Sequence, residues 1–312
     1  MLVSYTSEQI EAARPCEMSE ALERGRIVYF PVCPVPLPAD SDLGFLREAL
    51  PKQLKLKNIS YHPEAGRVTG LSGSPELAQL AHRVLIEHSQ RVQQFLSTVI
   101  PSLTHKWTVG TSSFRPIQEK GRALKPHASN ELVHIDAGAY GATNGDRIFR
   151  FFVNVNPHED RVWATKGTFA DLYGRYGQAA GVTPDAMPPN YLQKGLPDHL
   201  RTALLKGLSS IGLPLVQVLD SSPYDRLMRR FHNFMKDSDE FKHQEGYREF
   251  RFKPFSAWMV FTDMVSHASV SGQHALVNTF LIRLENCRIQ ELAPINILSG
   301  RRPVAPRDDV QF

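Results

Sequence analysis

The chain has 312 residues, of which 42% are hydrophobic and 22% are charged, an ordinary composition for a globular protein. This length allows one large domain or two small ones, with a sizeable core. A net charge of +4 is too small to indicate nucleic-acid binding by itself. The 3 cysteines are widely spaced, which argues against a disulfide framework and against a cysteine zinc site. The chain contains no run of about eighteen apolar residues, so no transmembrane helix is predicted.

The first third of the chain carries mainly helical patterns. Residues 1–15 contain early acidic residues and lack the order of basic, apolar and small residues found in a signal peptide, so we expect a cytoplasmic protein. Residues 7–24 predict a short amphipathic helix. Residues 25–38 predict a strand that continues into a proline-rich loop.

The clearest helix is predicted over residues 74–101. Ser74 is a suitable N-cap and Pro75 suits the first helical position. Apolar residues recur on one face, and His88 falls among them. A histidine in such a position is more often a core residue than a ligand.

From residue 107 onward the pattern changes to short runs rich in β-branched and aromatic residues. A helical insert separates two such blocks, which predicts one antiparallel barrel or sandwich interrupted by a long excursion. We expect a single α+β domain over 1–312. Its parts are a mainly helical N-terminal flank (1–106), a β core (107–167 and 250–290) and the insert (168–249), which has predicted helices over 198–212 and 222–241.

The motif His134-Ile135-Asp136 ends an apolar, strand-like run. On a strand, residues i and i+2 point to the same side, so both side chains can face one centre. An imidazole and a carboxylate, completed by a second histidine, make the facial triad that binds non-haem iron and leaves three positions open. Alone, the tripeptide is weak evidence because it is frequent by chance.

A third ligand is expected far downstream, and the sequence offers His267 and His274. His267 lies inside a strand-like segment before Ser271-Gly272, whereas His274 begins the next strand. We favour His267 because a ligand is held best by strand pairing on both sides.

Several short stretches follow one another in the order and spacing of a known family: KNISY (57–61), SSFRP (112–116), GR (121–122), VHIDA (133–137), RIFRFFVNVNP (147–157), RVW (161–163) and DMVSHASVSGQ (263–273). In these stretches and their spacing, the chain resembles the Fe(II)- and 2-oxoglutarate-dependent dioxygenases. More narrowly, it resembles the hydroxylases of Kdo (3-deoxy-D-manno-oct-2-ulosonic acid).

The resemblance implies a double-stranded β-helix, or jelly roll, in which His134, Asp136 and His267 bind Fe(II). It also implies that the protein uses O2 and 2-oxoglutarate as cosubstrates. The implied reaction hydroxylates the 3-deoxy carbon of Kdo, converting Kdo to Ko, on a lipid A precursor in lipopolysaccharide biosynthesis. The sequence contains no convincing nucleophile arrangement, and this chemistry needs none.

The distal carboxylate of 2-oxoglutarate requires a buried cation, normally arginine. Arg150, with Asn154 on the same strand face, is one candidate. Arg283, with Thr279 on its face, is the other. We favour Arg150. For the substrate, a carboxylate-bearing sugar on a phosphorylated lipid, the first candidates are Arg115, Arg122 and Lys125.

Two alternative functions stay open. The first is a 2-oxoglutarate-dependent hydroxylase that acts on another small molecule or on a protein. The second is a barrel that binds a metal or a sugar without oxidising it. If the Kdo interpretation holds, the enzyme meets an anionic glycolipid and contacts the inner membrane peripherally, although no Lys-rich amphipathic anchor is visible.

Overall fold

A computed structural model describes residues 1–55, 58–72, 74–122, 124–138, 142–188, 190–195, 197–198, 200, 221–243 and 246–300. The helices are α1 (Ser7–Ala12), α2 (Glu17–Glu23), α3 (Asp40–Ala49), α4 (Pro75–Val99), α5 (Pro101–Thr104), α6 (Phe169–Tyr176), α7 (Pro223–Asp237), α8 (Asp239–His243) and α9 (Pro294–Leu298). The strands are β1 (Leu2–Ser4), β2 (Ile27–Phe30), β3 (Ile59–His62), β4 (Arg67–Thr69), β5 (Thr108–Arg115), β6 (Arg147–Asn154), β7 (Arg161–Thr165), β8 (Arg248–Phe252), β9 (Ala257–Phe261), β10 (Ala268–Ser271) and β11 (Ala275–Ile282).

Two sheets form the core of the fold. The major sheet has the strand order β1-β2-β9-β6-β11-β5-β3-β4, and the minor sheet has the order β10-β7-β8. Residues 130–136 run antiparallel to residues 262–269 and extend the minor sheet, through bonds such as that from Ser269 N to the Asn130 carbonyl at 2.7 Å. Most neighbouring strands are far apart along the chain, as in β9-β6-β11-β5, and this arrangement agrees with the expected jelly roll.

Helix α4 covers the outer face of the major sheet. It begins as predicted, with Ser74 Oγ accepting a hydrogen bond from Leu77 N at 3.3 Å and Pro75 at the first position. Its apolar face joins the largest core cluster together with Phe151 of β6. His88 is fully buried there, which confirms the prediction that it is a core residue.

The central strands divide their side chains between two faces, because successive strand residues point in opposite directions. On β6, Phe149 and Phe151 pack toward α4, whereas Phe152 packs between the two sheets with Trp163 and Trp258. The Phe152 and Trp258 rings stack with centroids 5.0 Å apart. These aromatic side chains fill one part of the space between the sheets, next to the site described below.

The insert packs on the outer side of the minor sheet. Helix α7 lies within the helix predicted over 222–241 and is capped by Ser222, whose Oγ accepts from Asp225 N at 3.2 Å. Phe231 and Met235 of α7 are buried in a second core cluster. The helix predicted over 198–212 lies largely outside the described residues.

The N-terminal flank differs from its prediction in two ways. The single helix expected over 7–24 is two helices, α1 and α2, separated by a turn at Pro15 and Cys16. Cys16 has a left-handed φ of 68°, and proline disfavours a continuous helix. The flank also supplies β1 to β4, of which sequence pattern indicated only β2. No described helix is long and apolar enough to cross a membrane.

Candidate active site

His134 and His267 face each other across two paired backbone segments. His134 N donates to the His267 carbonyl at 3.0 Å, and His267 N donates to the His134 carbonyl at 2.7 Å. Asp136 is held two residues further on, where its N donates to the Thr262 carbonyl at 2.8 Å. One potential ligand atom from each of the three side chains lies within 4.8 Å of the others. Strand pairing therefore brings together Asp136 and His267, which are 131 residues apart in the sequence.

Both imidazoles are oriented by backbone carbonyls. His134 Nδ1 lies 2.7 Å from the Leu132 carbonyl, and His267 Nδ1 lies 3.0 Å from the Val265 carbonyl. A carbonyl oxygen only accepts, so each Nδ1 carries the proton and each Nε2 carries the lone pair. Trp163 stacks on His267 with ring centroids 5.0 Å apart. This is the arrangement that holds metal-binding histidines in one orientation.

Burial keeps these histidines neutral. Desolvation, aided by the charge of nearby Lys236, lowers the pKa of His134 well below its ordinary value. Desolvation also lowers the pKa of His267. Since the neutral imidazole is the form that binds metal ions, protons do not compete for either ring near neutral pH.

Asp136 is ionised beside them. Burial alone would raise the pKa of Asp136, but the Arg150 guanidinium beside it lowers that pKa well below its usual range. Its Oδ2 lies 3.0 Å from Arg150 Nη2, and its Oδ1 lies 3.8 Å from His134 Nε2. Two neutral imidazoles and one carboxylate are the donor set that suits Fe(II), so the residues fit the metal that the resemblance implies.

Two of the three side chains, His134 and Asp136, line a polar cavity of about 290 Å³. Its floor is the inner face of β5, β6 and β11, its far wall comes from α7, and its rim comes from the loop around Ala128. The lining residues are Asn58, Ser60, Thr111, Ser113, Arg115, His127, Ala128, Asn130, His134, Asp136, Arg150, His232, Lys236, Val277 and Thr279.

Two arginines make this cavity suitable for anions. Arg115 and Arg150 both line it, and the Nε atom of each is buried without a hydrogen-bond partner. Burial lowers the pKa of Arg115 to about 10, so the guanidinium stays charged at neutral pH. A buried donor without an acceptor costs free energy, which a bound carboxylate would recover.

Glu119 holds the cationic side of the cavity together. Its carboxylate lies 3.0 Å from Arg161, 3.7 Å from Arg115 and 3.6 Å from Arg122. Arg161 is fully buried and also donates to Ser269 Oγ at 2.7 Å. Since one carboxylate faces three guanidinium groups, positive charge remains for a ligand. Sequence reasoning missed Glu119 and Arg161, and the RVW stretch that contains Arg161 was the available signal.

Other predicted cosubstrate residues lie elsewhere. Asn154 Nδ2 donates to the carbonyls of Glu159 and Phe252 at 2.9 and 3.0 Å, so this side chain shapes the loop after β6. Arg283 is about half exposed and pairs with Asp146 at 3.1 Å. The structure does not bring either residue to the cavity.

Among the predicted substrate residues, only Arg115 lines the cavity. Arg122 does not line the cavity, but it pairs with Glu119, which also pairs with Arg115. Lys125 is exposed on the following loop. His274, the competing third ligand, lines a separate cavity with Arg47 and is not part of the ligand group. His232 lines the main cavity, although its spacing in the sequence gave no signal for this.

Comparison with known proteins identifies the family. The model of the 3-deoxy-D-manno-oct-2-ulosonic acid (Kdo) hydroxylase family matches residues 6–301. The apo structure of the Kdo hydroxylase KdoO, a non-heme Fe(II) alphaketoglutarate dependent dioxygenase, is 28% identical, with a TM-score of 0.77 over 96% of this chain and 95% of that chain. KdoO in complex with cobalt(II) is 27% identical, with a TM-score of 0.78 over 100% and 99% of the two chains.

KdoO has also been solved with alphaketoglutarate and Fe(III), at 28% identity and a TM-score of 0.77 over 96% of this chain and 95% of that chain. No curated protein sequence matches the chain. The similarity of fold confirms the jelly-roll architecture expected from the sequence. With a family match that spans almost all of its length, the chain belongs to the Kdo hydroxylase family.

Proposed function

We propose that this protein is an Fe(II)- and 2-oxoglutarate-dependent hydroxylase that acts on Kdo within an anionic glycolipid. The observation that carries the proposal is the His134, Asp136 and His267 donor group, which adjoins a cationic cavity in a member of the Kdo hydroxylase family. KdoO with succinate and Fe(III) supports the same reaction type, because succinate is what remains of 2-oxoglutarate after oxidative decarboxylation.

In this proposal His134, Asp136 and His267 coordinate the iron. When bound, iron and 2-oxoglutarate together activate O2 to replace a C–H hydrogen with a hydroxyl group. The chain supplies two oriented neutral imidazoles, an ionised carboxylate and a largely enclosed site. The backbone pairing between the segments of His134 and His267 holds both rings before the metal arrives.

The two cavity arginines divide the anionic groups between them. Arg150 takes the distal carboxylate of 2-oxoglutarate, as the sequence analysis favoured, and Thr279 lies opposite it in the β6–β11 register. Arg115 takes the carboxylate of the sugar acid. Both have buried Nε donors without acceptors, whereas Asn154 and Arg283 have partners outside the cavity. Arg122 acts indirectly, through the Glu119 carboxylate.

The lipid part of the substrate would bring the enzyme to a membrane surface. We propose peripheral contact at the cytoplasmic face of the inner membrane, where a lipid A precursor that carries Kdo is available. Flotation of the purified protein with vesicles, with and without the glycolipid, would test this part separately from catalysis.

The test of the function is a reaction with defined components. Purified protein would be incubated with Fe(II), 2-oxoglutarate, O2 and a lipid A precursor that carries Kdo, while succinate and the mass of the glycolipid are followed. We expect succinate and a product heavier by one oxygen atom. Both should be lost in H134A and in D136A and retained in H158A, which removes an exposed histidine outside the cavity.

Other outcomes discriminate between the alternatives. Succinate without a hydroxylated glycolipid would keep the dioxygenase and reject this substrate. A folded protein that binds Fe(II) but forms no succinate would contradict the proposed function and favour a non-catalytic barrel.

A further inference from the structure

Helix α7 forms the wall of the cavity that faces the metal ligands. Its apolar residues, including Phe231 and Met235, are buried in the core cluster of the insert. Its polar face brings His232 and Lys236 to the cavity. Lys236 Nζ donates to the carbonyls of His127 and Ser129 at 3.1 and 2.8 Å, and thereby ties the cavity rim to the helix. The helix is therefore held in place by its apolar face in the insert core and by the Lys236 hydrogen bonds at the cavity rim.

His232 is bound directly to the segment that carries two of the ligands. Its Nδ1 lies 2.6 Å from the carbonyl of Ile135, which separates His134 from Asp136. Its ring meets the ring of His134 nearly edge-on, with centroids 5.0 Å apart and planes at 73°. Despite this proximity, His232 is not in the group of side chains whose ligand atoms converge.

The hydrogen bond to Ile135 decides what the other ring nitrogen can do. A carbonyl accepts only, so Nδ1 carries the proton and Nε2 of the neutral ring is an acceptor. Nε2 has no hydrogen-bond partner among the described residues, and the ring forms part of the cavity wall. The ring thus offers one unused acceptor next to the metal ligands.

The cavity lining also holds hydroxyl and amide acceptors, such as Asn58, Thr111 and Thr279, but its basic residues offer none. Arg115, Arg150 and Lys236 are donors only. The Asp136 carboxylate is committed to Arg150 and to the ligand group. A hydroxylated ligand brings O–H groups that need acceptors once they leave water, since a buried hydroxyl without a partner is costly.

We propose that His232 is a positioning and specificity residue, whose Nε2 accepts a hydrogen bond from a hydroxyl group of the sugar substrate and aligns the reacting carbon with the metal. This inference rests on the proposed function and assigns a role that belongs to the insert rather than to the jelly roll. The role needs no change in the protonation of His232. Without the bond, the substrate binds more weakly and in more than one orientation.

Two substitutions separate the two nitrogens of the ring. H232N places an amide near the position of Nδ1, so it keeps the donor to Ile135 but has nothing at Nε2. H232Q places its amide near the position of Nε2, so it restores an acceptor there but loses the bond to Ile135. Thermal unfolding and the absorption spectrum of bound cobalt(II) report whether each variant is folded with an intact ligand group.

In H232N we expect normal cobalt(II) binding, because the amide keeps the donor to the Ile135 carbonyl. The KM for the glycolipid should rise about tenfold, as expected for one lost hydrogen bond to a substrate held in several places. Succinate formed per hydroxylated product should rise from about one to about three or more, because misaligned substrate is not oxidised at every turnover. H232Q should recover most of the lost coupling.

The inference would be overturned if H232N kept the wild-type KM and coupling. It would also be overturned if H232N lost cobalt(II) affinity in parallel with activity, because His232 would then act on the ligand segment alone. Failure of the proposed function itself is recognised separately, since the wild-type protein would then form no hydroxylated glycolipid.

Discussion

The two faces of the major sheet are built from the same strands and do different work. On the outer face, Phe114, Phe151 and Phe280 belong to the large apolar cluster that also contains the buried face of α4. On the inner face, Arg115, Arg150 and Thr279 of the same three strands surround the cavity. Each outer residue is adjacent in the sequence to an inner one: Phe114 to Arg115, Phe151 to Arg150 and Phe280 to Thr279.

This comparison shows how the fold separates stability from chemistry. Burial of aromatic side chains on the outer face stabilises the sheet, and the stabilised sheet holds cations on its inner face that would be costly without partners. We therefore expect substitutions on the outer face to change the free energy of unfolding and those on the inner face to change substrate and cosubstrate use.

The largest effect is expected from F151A on the outer face. Phe151 is fully buried against Phe30 of β2 and Phe95 of α4. Its truncation should lower the free energy of unfolding by about 3–5 kcal/mol, measured by urea denaturation. The fraction that stays folded should bind cobalt(II) with about the wild-type affinity. A stable F151A protein with weakened metal binding would contradict the separation of the two faces, and F151L serves as the milder control.

An intermediate effect is expected from R150K on the inner face. Lysine keeps the charge beside Asp136 but lacks the two-pronged donors that match a carboxylate. The KM for 2-oxoglutarate should rise about ten- to a hundredfold, with little change in the free energy of unfolding. R283K, at the surface pair with Asp146, is the matched control and should behave like the wild type. If R150K instead raised only the KM for the glycolipid, the roles of Arg150 and Arg115 would be exchanged.

The smallest effect is expected from H88L. His88 lies on α4, so this substitution tests the contribution of the outer face to stability. Burial lowers the pKa of His88 to about 3, and neither ring nitrogen has a partner. Between about pH 6.5 and 3 the unfolded chain therefore binds a proton at His88 that the folded chain does not, so stability falls as pH falls.

Replacing His88 removes this loss. H88L should match or slightly exceed the wild type in stability near pH 7.5, and it should exceed it by a further ~2 kcal/mol at pH 5. Denaturation at both pH values measures this difference. H82L, which removes a partly exposed histidine from the same helix, controls for the loss of a histidine as such. An equal effect of H88L at both pH values would show that His88 is not kept neutral by burial.

Local pattern determined much of this protein. Short runs rich in β-branched and aromatic residues predicted the central strands, and the cap and periodicity of residues 74–101 predicted α4. The short distance between His134 and Asp136 defined half of the ligand group, because residues two apart on an extended chain point to one side. The strand-like surroundings of His267 favoured it over His274, and the family resemblance favoured Arg150.

The tertiary structure decided what lies at long distances along the chain. Strand pairing brought His267 to His134. Asn154 at the end of β6 and Arg283 just after β11 instead bind partners outside the cavity. Glu119 binds Arg161, which is 42 positions away, and His232 binds Ile135, which is 97 positions away, so their places at the site depend on long-range packing. Sequence pattern reports periodicity within a segment, whereas a cavity is formed where separate segments meet, so its lining had to come from the packed structure.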